Sequence, residues 1–357
     1  MRKSKVPPSH TPSPHITRPT TPIEGLADFW FSDGNLVLVA DGIHFKVHRG
    51  VLARQSEVFR DILSIPQPAD VTLIDGCNVV ELYDSPLDVM YLLRALYDGL
   101  YFKRTQKEDF HAFTAILRLS TKYFIESLRQ LCMSRLQTDW PSTLSGWDMR
   151  EREATDEKGR YNPRDHLPHP IVLIKFAKEM GLRHLIPSAM YDLCRYGPSK
   201  VVSGELTHVE EFEGQLVFNQ VLLSTEDLYR VLIGREAAQR AVAQFILEEL
   251  TEREISPDCH NKHREGGRVC QESFYFIMLN TLRSVGGIAC GRDGDPLYTL
   301  TQAAEMLSRE DFSDGVRLCS LNICAACRLD FVRCVDRARQ EVWERIPGWF
   351  GMDGFDH

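Results

Sequence analysis

"DGIHFKVHRGVLARQSEVFRDIL", residues 41–63, decides how the first part of this chain is read. Asp41-Gly42 is a hairpin turn signal, because a two-residue type I′ turn needs positive φ at both central positions. After the turn, Ile43, Phe45 and Val47 alternate with His44, Lys46 and His48, the period of a half-buried strand. Before it, Leu36 to Ala40 is a short apolar run that can supply the partner strand. Beyond it the period changes. Leu52, Ser56, Phe59 and Leu63 recur at helical spacing, and the prolines at 66 and 68 end the helix.

Working outward, "VTLIDGCNVVELY" (71–83) reads as a further strand pair about Asp75-Gly76. "SPLDVMYLLRALYDG" (85–99) carries its own punctuation: Ser85 at the N-cap, Pro86 at the first helical position, Asp88 three residues on, and Gly99 as a stop. Val89, Leu92, Leu93 and Leu96 form its buried stripe. A helical pair follows in "FHAFTAILRLSTKYFIESLRQLCMSRL". Residues 26–138 therefore read as an α+β unit, with strands first and helices after.

On either side the composition shifts. Residues 1–24 are rich in proline and hydroxyls and poor in apolar groups, which predicts a disordered tail. Arg2, Lys3 and Lys5 resemble a weak nuclear-import signal, and Thr11, Ser13 and Thr21 precede prolines as kinase sites do, but a plain solvated tail with no such role is the preferred reading. Residues 139–170 are polar and read as a linker. From 171 to 357 the pattern is nearly all helical, over about 171–195, 225–252, 271–284, 297–309 and 323–346, with a short β signal at 213–223.

The unit at 26–138 resembles the BTB/POZ domain, a protein-interaction fold. The resemblance rests on "DGIHFKVHRGVLARQSEVFRDIL", with His48, Val51, Leu52, Ser56 and Phe59 where that family places them, and on the later helical stretches. Without the family, His48 at a strand end reads as a packing and hydrogen-bonding group, and Ser56 as a helix hydroxyl bonding the backbone one turn back. Repressor-type members carry an acid at the first strand opposite a base after the histidine. Here Asn35 takes the acid's place, with Asp33 two residues away and Arg49 as the base, which weakens a co-repressor-pocket reading. The whole chain resembles the BTB proteins abundant in mushroom-forming (basidiomycete) fungi, with a cysteine-bearing helical C-terminal half.

The cysteines pose the chemical question. In "ICAACRLDFVRC" Cys324 and Cys327 lie one helical turn apart, and Cys259 and Cys270 bracket a polar loop with His260 and His263 as spare donors. A redox pair of the thioredoxin type lacks its βαβ setting. Buried core thiols are the ordinary account of Cys77, Cys132, Cys194 and Cys290. For Cys259, Cys270, Cys324 and Cys327, spacing alone leaves core packing and a structural zinc comparable, and the intervening stretch is long for a compact zinc module. The resemblance implies a Cys…Cys loop followed by a C-x-x-C helix ending in a stretch such as "EVWERIPGWF", which tips the reading to zinc. His263, Cys319 and Cys334 are alternative ligands.

Composition and missing motifs bound the function. The net charge is −8, with 43% hydrophobic and 26% charged residues, a globular balance that speaks against a nucleic-acid-gripping surface. No run approaches the ~18 apolar residues of a membrane helix. Ten cysteines without an apolar leader suggest a reducing, intracellular compartment, cytoplasmic or nuclear. Walker, G-x-G-x-x-G, H-E-x-x-H and G-x-S-x-G motifs are absent. The expected function is a non-enzymatic adaptor that self-associates as a homodimer or docks protein partners. The resemblance implies that one such partner is the cullin scaffold of ubiquitin ligases. The alternative is a transcriptional regulator whose zinc-stabilised C-terminal module contacts DNA.

Overall fold

The computed structural model describes residues 26–65, 73–100, 109–163, 167–212, 215–285, 291–310, 312–313, 318–319 and 321–352. The tail at 1–24, with its Thr-Pro and Ser-Pro sites, and Cys290 lie outside the described residues.

Strands β1 (Leu36–Ala40) and β2 (Ile43–Val47) form the anticipated hairpin, with Leu38 opposite Phe45. Asp41 and Gly42 both hold positive φ, 44° and 79°, as the turn requires. The helix anticipated over 49–63 is two helices, α1 (Arg49–Gln55) and α2 (Glu57–Ser64). Ser56 breaks it. Its backbone is extended, its Oγ accepts from Phe59 N–H at 3.0 Å, and its hydroxyl donates to the Tyr123 carbonyl. The hydroxyl is thus an N-cap rather than a bond to the preceding turn.

Among the described residues 73–83, the stretch around Asp75-Gly76 is also not a strand pair. Only an isolated bridge joins Ile74 and Cys77, and β3 (Asn78–Leu82) runs parallel to β1, giving the order β2-β1-β3. The open edge of β1 offers a longer ladder than a hairpin there would, and the pairing buries Leu82. Helices α3 (Pro86–Asp98), α4 (Phe110–Lys122) and α5 (Glu126–Asp139) complete the unit. Gly99 ends α3 with φ 78°, while the Ser85 side chain makes no cap bond.

Residues 139–170 depart from the linker reading. Helix α6 (Leu144–Glu153) sits there, capped by Thr143, whose Oγ1 accepts from Gly146 N–H at 3.2 Å. Trp147 is 1% exposed, and Arg150 is buried beside it. The stretch looks solvated because its buried side includes a charge, and that charge is fully paired within the protein.

The remainder is mostly helical, as anticipated: α7 (Pro170–Glu179), α8 (Ile186–Cys194), α9 (Pro198–Ser203), α10 (Thr225–Phe245), α11 (Arg268–Thr281), α12 (Pro296–Glu305) and α13 (Ala325–Trp349). A π-helical turn, Ile246–Leu250, extends α10. The β signal is the second strand of a hairpin, β4 (Glu205–Phe212) with β5 (Gln215–Val221). Its first strand, "ELTHVEEF", lacks clean alternation and gave no signal. Helices α8, α10, α12 and α13 pack around Val231, Val242, Leu300 and Val335, and the buried apolar side chains of both halves join into one cluster. No helix among the described residues is long and apolar enough to cross a membrane.

Candidate metal centre

Three pieces of chain bring four sulfurs together. A turn after Pro257 carries Cys259, the first turn of α11 carries Cys270, and the N-terminus of α13 carries Cys324 and Cys327. Gly267 precedes α11 with φ 81°, and a Cβ there would meet Ile255 Cδ1 at 2.5 Å, so glycine lets the two segments close on each other. All four Sγ atoms lie within 4.8 Å of one another. Cys259 Sγ stands 3.8 Å from both Cys270 Sγ and Cys324 Sγ. Four thiolates about 2.3 Å from a tetrahedral zinc would stand about 3.8 Å apart, so the spacing fits that ion.

The surroundings suit thiolates. Each sulfur accepts at least one N–H: Cys259 from the Asn261 backbone, Cys270 from Cys324 N–H at 3.4 Å and Asn261 Nδ2 at 3.3 Å. Cys324 accepts from Cys327 N–H at 3.5 Å and from the His260 backbone, and Cys327 from Ser256 N–H at 3.4 Å. The N-termini of α11 and α13 both reach the cluster, and their dipoles favour negative charge. Burial alone would raise the Cys324 thiol. The N–H groups of Cys327 and His260, with the neighbouring thiols of Cys327 and Cys259, outweigh it and bring it down to about 6. Burial and the adjoining sulfurs push the Cys259 and Cys327 thiols up. Cys324 is half-buried and the other three are buried.

Four sulfur donors close a tetrahedral shell and leave no position for substrate, so the arrangement suits a structural ion rather than a catalytic one. The alternative ligands fall away. His260 and His263 are exposed, with neither in the cluster. Cys334 donates its S–H to Glu249 Oε2 at 2.9 Å. The side chain of Cys319 lies outside the described residues. Cys77, Cys132 and Cys194 are buried singly, as core thiols are.

In the N-terminal unit, His48 packs and bonds as its position implied. Its Nε2 lies 3.2 Å from Asp33 Oδ1, its Nδ1 lies 3.0 Å from the Tyr97 hydroxyl, and Phe31 covers the ring. Asn35 does not face Arg49 as a charged partner. Its Oδ1 accepts from the Arg49 backbone N–H at 2.7 Å, while the Arg49 guanidinium reaches the Leu63 carbonyl. Two large aromatics, Tyr83 at 90% and Phe124 at 63% exposure, flank a contact in which Asp84 bonds Lys122 and Tyr123.

Sequence reasoning missed a buried ionic network. Arg150 donates to Asp192 Oδ2 at 2.8 Å, and Arg195 pairs with Asp192, with Glu151 at 2.8 Å and with Asp295 at 3.1 Å. Asp295 also caps α12 and accepts from the Tyr191 hydroxyl. Only the tryptophans at 140 and 147 hinted at it, since large apolar residues in a polar stretch mark a buried face, and the Arg150 guanidinium lies over both rings.

A three-stranded sheet ringed by paired helices leads into a mostly helical remainder that carries the four-cysteine cluster. The family model of the BTB/POZ domain matches residues 31–139, from five residues ahead of β1 to the end of α5, and that unit is a BTB/POZ domain. No curated protein matches the chain.

Proposed function

We propose that the protein is a non-enzymatic adaptor, in which the BTB/POZ domain docks a protein partner or a second copy and the helical half selects a target. The observation that carries this reading is the BTB/POZ unit at 31–139, since that domain is a protein-interaction module. Tyr83 and Phe124 supply a docking face on this reading, because exposed aromatics are the side chains that anchor interfaces. The cullin scaffold of ubiquitin ligases is the partner proposed for it. Affinity purification of the tagged chain should recover stoichiometric protein partners, and Tyr83→Ala with Phe124→Ala should weaken their capture without lowering the melting temperature. A chain that stays strictly monomeric in light scattering and recovers no partner would refute the adaptor reading.

We infer further that Cys259, Cys270, Cys324 and Cys327 hold one structural zinc that ties α11 to α13. The sulfur spacing and the N–H donors on every sulfur support it. Zinc would add folding free energy there by joining segments far apart in sequence. Purified protein should carry about one zinc per chain. Cys327→Ser should lower both metal content and melting temperature; metal-free protein of unchanged stability would refute the assignment.

A further inference from the structure

We propose that the four-cysteine cluster is an oxidant-sensitive latch in which a hydroperoxide converts Cys259 and Cys324 to a disulfide, releasing Cys270, and with it α11, from the four-sulfur tie to α13. The site is the one assigned to zinc above, and only the release step rests on that assignment. Three features choose the residues. Cys324 is the half-buried member of the four, so an oxidant in solvent reaches its sulfur first. Cys259 Sγ is 3.8 Å away, in van der Waals contact. Cys259 sits in a turn rather than a helix, while Cys270 and Cys327 are fixed in the first turns of α11 and α13. Closing 3.8 Å to a disulfide bond of about 2.05 Å therefore asks least of the Cys259–Cys324 pair.

The electrons balance in two steps. Cys324 thiolate attacks the distal oxygen of the hydroperoxide, the S–O bond forms and the O–O bond breaks. The sulfur loses two electrons, and the departing hydroxide (from hydrogen peroxide) or alkoxide (from an organic hydroperoxide) takes up a proton as water or alcohol. Cys259 thiolate then attacks Cys324 sulfur, the S–S bond forms, and hydroxide leaves and is protonated to water. Both sulfurs lose the charge that would hold a metal, and the α13 N-cap loses a thiolate acceptor for Cys327 N–H. Cys270 and Cys327 alone cannot complete a four-donor shell.

The test uses the full chain, reduced and as purified, titrated with hydrogen peroxide. Released zinc is followed with a chromogenic chelator, and linkages by non-reducing peptide mass mapping. The expected result is a dominant Cys259–Cys324 linkage, with loss of one zinc per chain in step with it and reversal by dithiothreitol. A dominant Cys324–Cys327 linkage, over-oxidation of Cys324 without a crosslink, or metal loss with all four thiols intact would overturn the proposal. The mapping is repeated on chelator-treated protein. If the purified chain holds no zinc the metal reading fails, while the linkage found on that protein still decides the latch. Because the wild-type chain carries the decisive readout, no variant need fold.

Discussion

Gly234 lies in the middle of α10 directly beneath the ring of Phe350, which follows α13 and is 1% exposed. A Cβ at 234 would stand 2.7 Å from Phe350 Cδ1 and 2.9 Å from Cζ, well inside van der Waals contact with a rigid ring. Two effects oppose each other in Gly234→Ala. Alanine favours a helix interior by about 1 kcal/mol over glycine. Overpacking a filled site costs about 1–3 kcal/mol, and a clash with several ring atoms at once belongs at the upper end. Sterics should win, with a net loss of about 2 kcal/mol. Urea unfolding would show a lower midpoint at unchanged slope. The decisive measurement repeats the change in a Phe350→Leu background, where the ring is gone and only the helix preference remains. There Gly234→Ala should become neutral or stabilising, a reversal of sign that a double-mutant cycle reads as coupling. A substitution that stabilises the wild-type background, or costs the same in both, would refute the close-packing argument.

Ser56→Ala removes the α2 cap and strips the Tyr123 carbonyl of its donor, so it should cost about 1–3 kcal/mol in chemical denaturation. Phe124 is held at φ 49° with most of its ring in solvent, and Phe124→Gly should raise stability by about 0.5–1 kcal/mol by relieving left-handed backbone strain. Burial would raise Glu249, but the Cys334 S–H, Arg337 and Arg253 outweigh it and lower its carboxyl below the ordinary 4.5. Its contribution is therefore present above 4.5 and lost as pH falls through the lowered folded value. Glu249→Gln should cost about 1 kcal/mol at neutral pH, and the gap to wild type should close on acidification; a gap that persists in acid would contradict the pairing.

How much of this was legible depended on whether a residue's role is local. The hairpin at Asp41-Gly42 and the stop at Gly99 are written in backbone preferences, and both appear where the turn residues put them. Ser56 was legible as special but not in its role, because its partner is the Tyr123 carbonyl just past the end of α4, far away in sequence. The parallel pairing of β3 with β1 was hidden for a similar reason: a strand does not record which neighbour it will find. Spacing and the family resemblance single out the four cysteines, while their convergence depends on a close approach at Gly267 that no spacing encodes. Arg150 and Asp192 were invisible since a buried charge and a solvated one are spelled alike.

Helix α6 has a mechanical consequence. From Arg150, Nε donates to the carbonyl of Asp139 at the end of α5 at 2.9 Å, while Nη2 holds Asp192 in α8. Phe110 of α4 meets Phe176 of α7 edge to face, and Arg118 grips Glu179 through both carboxylate oxygens. A connection built this way behaves as a bracket and not as a tether. A partner on the N-terminal sheet and helices and another on the helical half would be presented at one distance and one orientation. For two partners of matching span, that fixed geometry raises their effective concentration; for any other pair it excludes joint binding. Selectivity between partner combinations would then reside in the bracket as well as in either binding face.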